Sequence, residues 1–345
     1  MATLRELSEC TGYSVTTISR ILNGDEKLSV SDETRRKVLE EAARLNYTAT
    51  RSRRGRTPKA ALRIGLAEQL TPAQQLEDPF YLYLSSYIRQ ECLDKKYTYI
   101  PLERRGEGCW AAGAEALSGI VAIGRFPLSD VEAMGALSPN LVFLDSSPLE
   151  SLYDSVVLGY ELGISLALEH LFQLNHRRIC FVGPSYTLDE RHHFGLEIRR
   201  QIFIRLMQEQ GLFDPQLLLE TPMRKNESHK VAAEFLKSGV PCPTAFLCAN
   251  EESAIGTLAA LKEAGLSVPR DVSIVSFDDT PQSTLIEPLL TSVSTHVEEM
   301  SKTALRLLSE RAACGAEKPI RTIPLKVVVP PSLVVRDSTG PAPEE

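Results

Sequence analysis

At 345 residues, 43% of them apolar, the chain exceeds what one hydrophobic core serves and can fill two, which excludes a disordered or fibrous protein. A net charge of −7 excludes a surface that coats nucleic acid over its whole extent. The charge is unevenly placed, however. Residues 1 to 60 carry 12 basic and 8 acidic side chains, a balance of +4 that leaves −11 on the remainder. Seven basic residues and no acidic one lie from Arg44 to Arg63, a local footprint for a polyanion.

In chain order, the first element is a short helix in T-L-R-E-L-S-E-C-T-G, with Thr3 and Glu6 in capping-box spacing and Gly12 as the left-handed stop. After the turn Gly12-Tyr13-Ser14, the run V-T-T-I-S-R-I-L predicts a second helix. Ile18, Ile21 and Leu22 fall on one face of it, and Val15, Thr16, Ser19 and Arg20 on another; Asn23-Gly24 ends it. Ser31 caps a third helix in which Val38, Leu39, Ala42 and Leu45 recur at helical spacing. Two short helices joined by a tight turn and braced by a third make a helix-turn-helix, whose second helix fits the major groove of DNA.

From Leu62 onward, β-rich runs alternate with helical ones. The runs are L-R-I-G-L-A, Y-T-Y-I-P-L, G-I-V-A-I-G, L-V-F-L-D, R-I-C-F-V-G, T-A-F-L-C-A and V-S-I-V-S-F; between them lie helices such as Y-L-S-S-Y-I-R-Q-E-C-L. The alternation means parallel sheets with helices on both faces, and its length suggests two doubly wound lobes with ligands beyond the carboxyl ends of the strands.

Several chemistries are excluded. No phosphate-loop, dinucleotide, zinc-protease or nucleophile-elbow motif occurs, so neither catalysis nor a cofactor is expected. The seven cysteines (Cys10, Cys92, Cys109, Cys180, Cys242, Cys248, Cys314) lack metal spacing and read as reduced, small apolar residues. His192-His193 beside Glu190 is a poor metal site, because adjacent side chains point apart, and no metal is expected. With no signal segment and no apolar run of about 18 residues, the expected location is the cytoplasm, without membrane contact.

The run L-R-E-L-S-E-C-T-G-Y-S-V-T-T-I-S-R-I-L-N-G, followed by V-S-D-E-T-R-R-K-V-L-E-E-A-A-R-L-N-Y, resembles the head of the LacI/GalR family of bacterial regulators. The likeness continues through D-P-F-Y, L-N-H-R-R-I-C-F-V-G, A-N-E-E-S-A-I-G and G-L-S-V-P-R-D-V-S-I-V-S-F-D-D to about residue 336. It implies an N-terminal all-α helix-turn-helix head over residues 1–47 and a hinge over 48–60. An α/β two-lobed, periplasmic-binding-protein-like sensor on doubly wound parallel sheets follows over 61–336, with a disordered tail over 337–345. It also implies a transcriptional repressor that binds double-stranded operator DNA as a homodimer under the control of a small-molecule effector, a sugar.

By matched position, Val15, Thr16 and Arg20 read base edges, while Ser14, Thr17, Ser19, Asn23, Ser31 and Thr34 hold phosphates. For Ser14, Ser31 and Thr34, helix capping is a second reading compatible with the first. In the sensor, the resemblance assigns Phe80, Tyr81, Arg199, Asn250, Asp278, Thr295 and His296 to the effector. Phe80 and Tyr81 also read as core, Arg199 as a surface charge, and Asn250 and Asp278 as caps. Gly159 stands where the family usually has Asp, Asn175 replaces Gly, and Glu251 replaces the Asp after Asn250. D-P-F-Y and S-V-S-T-H are closest to the branch containing the ebg repressor, so a galactoside is expected. The sensor alone also suits an exported sugar-binding protein, which the head and the missing export signal oppose, or a sugar enzyme, which no nucleophile-base pair or metal cluster supports.

The hinge departs further, because the position matching the family's minor-groove leucine is Gly55, with Arg51, Arg53, Arg54 and Arg56 around it. Electrostatic contact with phosphates then stands in for part of the apolar wedge. Gly55→Leu is expected to tighten operator binding, read by fluorescence anisotropy; unchanged or weaker binding would refute that account.

Overall fold

The computed structural model describes residues 4–22, 28, 30–45, 61–113, 116–188, 194–312 and 318–344. Asn23, Arg51, Arg53, Arg54, Gly55, Arg56, Glu190, His192 and His193 lie outside the described residues. The chain divides into two compact units, Met1–Lys59 and Ala60–Glu345.

The first unit holds α1 (Leu4–Thr11), α2 (Val15–Leu22) and α3 (Asp32–Arg44). Leu7, Ile18, Ile21, Val38 and Ala42 form its core. Gly12 takes φ +77°, the left-handed stop its sequence position predicts. Leu39, expected in the apolar stripe, is instead 48% exposed. It follows Val38 directly and so lies about 100° round the helix from the buried face.

The second unit has two lobes. The first lobe contains β1 (Arg63–Glu68), α4 (Pro72–Glu77), α5 (Pro79–Asp94), β2 (Thr98–Pro101) and the hairpin β3 (Glu103–Gly106) and β4 (Cys109–Ala111). It continues with β5 (Gly119–Ile123), α6 (Leu128–Leu137), β6 (Leu141–Leu144) and β7 (Asp154–Leu158). The chain then crosses into the second lobe, formed by α7 (Tyr160–Gln173), β8 (Ile179–Gly183), β9 (Tyr186–Leu188), β10 (Phe194–Leu196), α8 (Ile198–Glu209) and β11 (Leu218–Glu220). That lobe is completed by α9 (Lys225–Leu236), β12 (Ala245–Cys248), α10 (Glu251–Glu263), β13 (Ser273–Asp278) and β14 (Thr291–Ser294). A second crossing brings α11 (Val297–Arg311) and β15 (Lys326–Val329) back to the first lobe, and a third returns β16 (Ser332–Val334) to the second.

The first sheet runs β15-β7-β6-β5-β1-β2 with every pair parallel, and the second runs β11-β8-β12-β13-β14-β16 with only β14–β16 antiparallel. Strands β5, β6, β8 and β12 are buried along their whole length, as parallel strands covered on both faces must be. Each fully buried large apolar side chain contributes about 1.5 to 3 kcal/mol. The return of β15, which the sequence reading did not anticipate, rests on a buried carboxylate. Asp154 accepts from Arg321 Nη1 at 2.7 Å, Arg321 Nη2 at 3.0 Å and the Leu325 backbone N–H at 2.6 Å.

Two sequence departures have local explanations. Asn175 sits at φ +66° where α7 stops, a left-handed position that Gly fills at no cost and Asn tolerates. Gly159 is the N-cap of α7 and supplies no side-chain cap.

The tail expected to be disordered is instead anchored at Ser338, Gly340 and Ala342, while Asp337, Pro341, Pro343 and Glu344 are exposed. Ser338 is fully buried, donates to Ile274 O at 2.7 Å and accepts from the Thr291 backbone N–H at 2.8 Å. His176, also fully buried, places Nε2 3.0 Å from Gly340 O and Nδ1 2.9 Å from Thr244 Oγ1. The Ala342 backbone N–H reaches Leu174 O at 2.8 Å. These bonds satisfy backbone groups at the strand ends of the second sheet, which a low-complexity sequence does not reveal. Ser338→Ala is expected to destabilise the protein by about 1 to 3 kcal/mol, because it strands the Thr291 N–H. Urea unfolding checks this; a loss below the lower bound would show that the Ser338 hydroxyl does not hold the tail.

Candidate functional site

The carboxyl ends of both sheets face a cleft of about 350 Å³ between the lobes. The parallel topology dictates this, since loops after parallel strands gather at one end. From the first lobe come Gln69 after β1, Asp78, Phe80 and Tyr81 at the start of α5, Arg125 after β5 and Asp145 after β6. From the second come Tyr160, Thr187, Arg199, Met223, Asn250, Asp278 and Thr295. The cleft thus unites six of the seven residues assigned from sequence.

His296 is the exception. At φ +50° it turns from the cleft, and its Nε2 lies 3.0 Å from Ser332 Oγ, so it ties the second crossing to the third. It lines a separate pocket with Tyr87 and Lys302.

Asp145 joins the two lobes. Its Oδ2 accepts from Tyr81 Oη at 2.7 Å and its Oδ1 from Tyr160 Oη at 3.0 Å, one tyrosine from each lobe. Burial, and then the neighbouring Asp145 charge, raise both phenols above their ordinary range. Arg125 Nη1 spans the lobes to Thr187 Oγ1 at 3.3 Å. At the rim, Arg224 and Glu77 pair at 3.3 Å, both about half exposed, and such a pair stabilises little.

Arg199 is 8% exposed rather than a surface charge. Its Nε donates to Glu197 Oε1 at 2.8 Å, its Nη1 to Ala249 O at 2.5 Å and its Nη2 to Met223 Sδ at 3.3 Å, and its guanidinium lies 5.5 Å from the Tyr160 ring centroid. Burial works against that charge, but Glu197 and then Tyr160 outweigh it and hold the group protonated. Glu197 also caps α8, accepting from the Arg200 backbone N–H at 2.9 Å.

Asn250 realises its capping reading. Its Oδ1 accepts from the Ser253 backbone N–H at 2.9 Å while its Nδ2 donates to Met223 O at 3.0 Å, leaving one amide hydrogen for a ligand. Thr295 donates to Asp278 O at 3.1 Å. Phe80 belongs both to the cleft wall and to the first lobe's core.

Asp278 occupies φ +96° and Asp279 φ +53°, a strained pair costing about 1 to 3 kcal/mol per residue. Glu251 holds that turn, accepting from the Thr280 backbone N–H at 2.9 Å and from the hydroxyls of Thr280 and Ser283. Arg336 Nη2 binds Asp279 Oδ1 at 2.6 Å.

Burial pushes Asp78 up to about 6, with Asp145 adding to the rise and Arg199 opposing it. Burial pushes Glu251 up to about 7 and Asp278 well above the carboxylate range. Asp78, Arg125, Asp145 and Tyr160 were missed from the sequence, though Asp78 lies in the D-P-F-Y motif, Asp145 directly follows β6 and Arg125 comes two residues after β5.

In the head, Val15, Thr16 and Arg20 stand on the exposed side of α2, opposite Ile18 and Ile21. Ser14 Oγ accepts from the Thr17 backbone N–H at 3.1 Å and Ser31 Oγ from the Thr34 backbone N–H at 3.2 Å. Both serines therefore cap their helices. Thr34 Oγ1 lies 2.9 Å from Ser31 Oγ and 3.4 Å from Tyr13 Oη, while Ser19 is half-buried.

Residues 3–49 match the model of bacterial regulatory proteins of the lacI family, and residues 168–339 match that of a periplasmic binding protein-like domain. The chain is 32% identical over 349 residues to the HTH-type transcriptional repressor MelR of Bacillus subtilis (strain 168), covering 99% of this chain and 98% of that one. It is 29% identical over 339 residues to the lactose operon repressor of Escherichia coli (strain K12), covering 94% and 89%. A solved structure of the lac repressor dimer bound to operator and the anti-inducer ONPF superposes with TM-score 0.62 at 25% identity, covering 98% and 99%.

A carboxyl group whose folded pKa is raised contributes stability that is present below its unfolded pKa of about 4 and lost as pH rises through the folded value. For Asp78 that loss runs from about pH 4 to about pH 6. Relative to the parent in urea unfolding, Asp78→Asn should gain stability as pH rises from about 4 to about 6 and keep a constant difference above about pH 6.5. A pH-independent difference would show that burial does not govern Asp78.

Proposed function

Because the chain belongs to the lacI family of bacterial regulatory proteins and is a DNA-binding transcriptional regulator, not an enzyme, we propose that it represses by binding operator DNA and releases it when a neutral sugar fills the cleft. The observation that carries the ligand class is the balance around Asp145. Asp78, Asp145 and Asp278 offer acceptors and Arg125 and Arg199 offer donors, beside the apolar surfaces of Phe80, Leu158 and Met223. Sugar hydroxyls both donate and accept, and pyranose C–H faces suit apolar walls. A phosphate would have to compete with Glu197 for Arg199 and with Asp145 for Arg125, so neither guanidinium offers it an uncompensated charge.

A galactoside is the sugar class we propose, supported by the likeness to the lactose operon repressor. On the DNA side, Val15, Thr16 and Arg20 read base edges, with Arg20 suited to the guanine O6/N7 fork. Ser14, Thr17, Ser19, Asn23, Ser31 and Thr34, with Arg51, Arg53, Arg54 and Arg56, hold phosphates. The likeness to the operator-bound lac repressor dimer supports a homodimer whose two heads read two half-sites. Effector binding weakens the operator complex by a coupling of about 1 to 3 kcal/mol.

Thermal denaturation of the full chain across galactosides, glucosides and nucleobases tests this reading. A true effector at 100 times its dissociation constant adds about 2.7 kcal/mol of stability. The expected result is a shift with galactosides, weakened at least tenfold in affinity by Asp145→Asn, and release of operator by the same compound in an anisotropy assay. A shift with nucleobases alone, or with no sugar, sinks the sugar reading.

A further inference from the structure

Arg199 reaches the cleft from the first turn of α8, and the residue that balances its charge stands one step before that helix. Glu197 is fully buried and takes no part in the cleft wall, so a ligand in the cleft does not touch it. Its backbone N–H donates to Ser185 O at 3.0 Å, which fixes it at the end of the β9–β10 hairpin. Its carboxylate serves two donors. Oε2 caps α8 through the Arg200 backbone N–H at 2.9 Å, and Oε1 accepts from Arg199 Nε at 2.8 Å.

Among the described residues, Glu197 is the carboxylate within ion-pair distance of Arg199. The Asp278 carboxyl also acts on that guanidinium, but burial holds it well above the carboxylate range, toward its neutral acid. On its other sides Arg199 meets neutral groups: Ala249 O at 2.5 Å, Met223 Sδ at 3.3 Å, and the rings of Tyr160 and Phe277 with centroids 5.5 and 6.0 Å away. Three of its five N–H groups are thus taken, and two remain for the cleft.

Those two can donate to hydroxyl oxygens. Toward an anion, however, the pair presents no net charge, and Glu197 repels from behind in a setting where water screens poorly. An uncompensated arginine at the same place would grip a carboxylate or phosphate in preference to a hydroxyl.

We propose that Glu197 determines specificity through Arg199: by neutralising the guanidinium from behind, it makes the cleft accept neutral sugars and reject uronates and sugar phosphates. The proposal rests on the sugar reading of the cleft and deepens it.

Calorimetric titration of the full chain at about pH 7.5, where a uronate is ionised, compares methyl β-galactoside with the same ring oxidised to a carboxylate at its hydroxymethyl group. The parent is expected to bind the galactoside at least about tenfold more tightly than the uronate. Glu197→Gln keeps the volume and an acceptor but removes the charge. It is expected to narrow that ratio about tenfold, and to let inorganic phosphate compete with the galactoside as it does not in the parent. Damage to the fold alone would weaken both sugars alike and leave the ratio unmoved. Glu197→Asp keeps the charge but withdraws it by one methylene; it is expected to narrow the ratio severalfold, and it decides the matter if the glutamine variant does not fold. Equal binding of both sugars by the parent, or a ratio that neither substitution moves, overturns the role of Glu197 and leaves the cleft reading standing. Failure of every sugar to bind the parent overturns both.

Discussion

One carboxyl group shared between two lobes organises the sensor: Asp145 receives a tyrosine hydroxyl from each side of the cleft. It can do so only because both parallel sheets point their carboxyl ends at the same gap, and three crossings of the chain keep them there. A sugar hydroxyl that displaces either tyrosine changes what joins the lobes. Ligand chemistry and lobe geometry are thus coupled at a single side chain.

The surrounding charges make this site costly to leave empty. Asp78 and Asp278 are shifted upward by burial, and Arg199 stays charged because Glu197 compensates it from beneath. Such groups are stable when every lone pair and proton has a partner, and water or a polyhydroxy ligand supplies the missing ones. The strained turn at Asp278–Asp279 belongs to the same arrangement. Its backbone cost is offset by Glu251 and Arg336, which fix the Asp278 carboxyl at the cleft wall.

The head and most sheet strands were legible because their signals are local: a 3.6-residue period, caps at Ser14 and Ser31, and continuous apolar runs for strands buried on both faces. Phe80, Tyr81, Arg199, Asn250 and Asp278 were reachable through matched motifs. What escaped depends on partners distant in sequence. Asp145 functions through Tyr81 and Tyr160, β15 is held by Asp154 through Arg321, and the packed tail depends on His176 and Ile274. His296 was misplaced because its motif gave the position in the chain but not the positive φ that turns the side chain away.

The departures from the family pattern divide on physical grounds. Asn175 for Gly is a conformational substitution, since both tolerate the left-handed turn after α7, and it leaves the site untouched. Glu251 for Asp reaches further, because a longer side chain spans from the start of α10 to Thr280 and Ser283 and so sets the turn that presents Asp278. In both cases the residue that departs acts on backbone conformation, so the groups lining the cleft keep the places that the parallel strands give them.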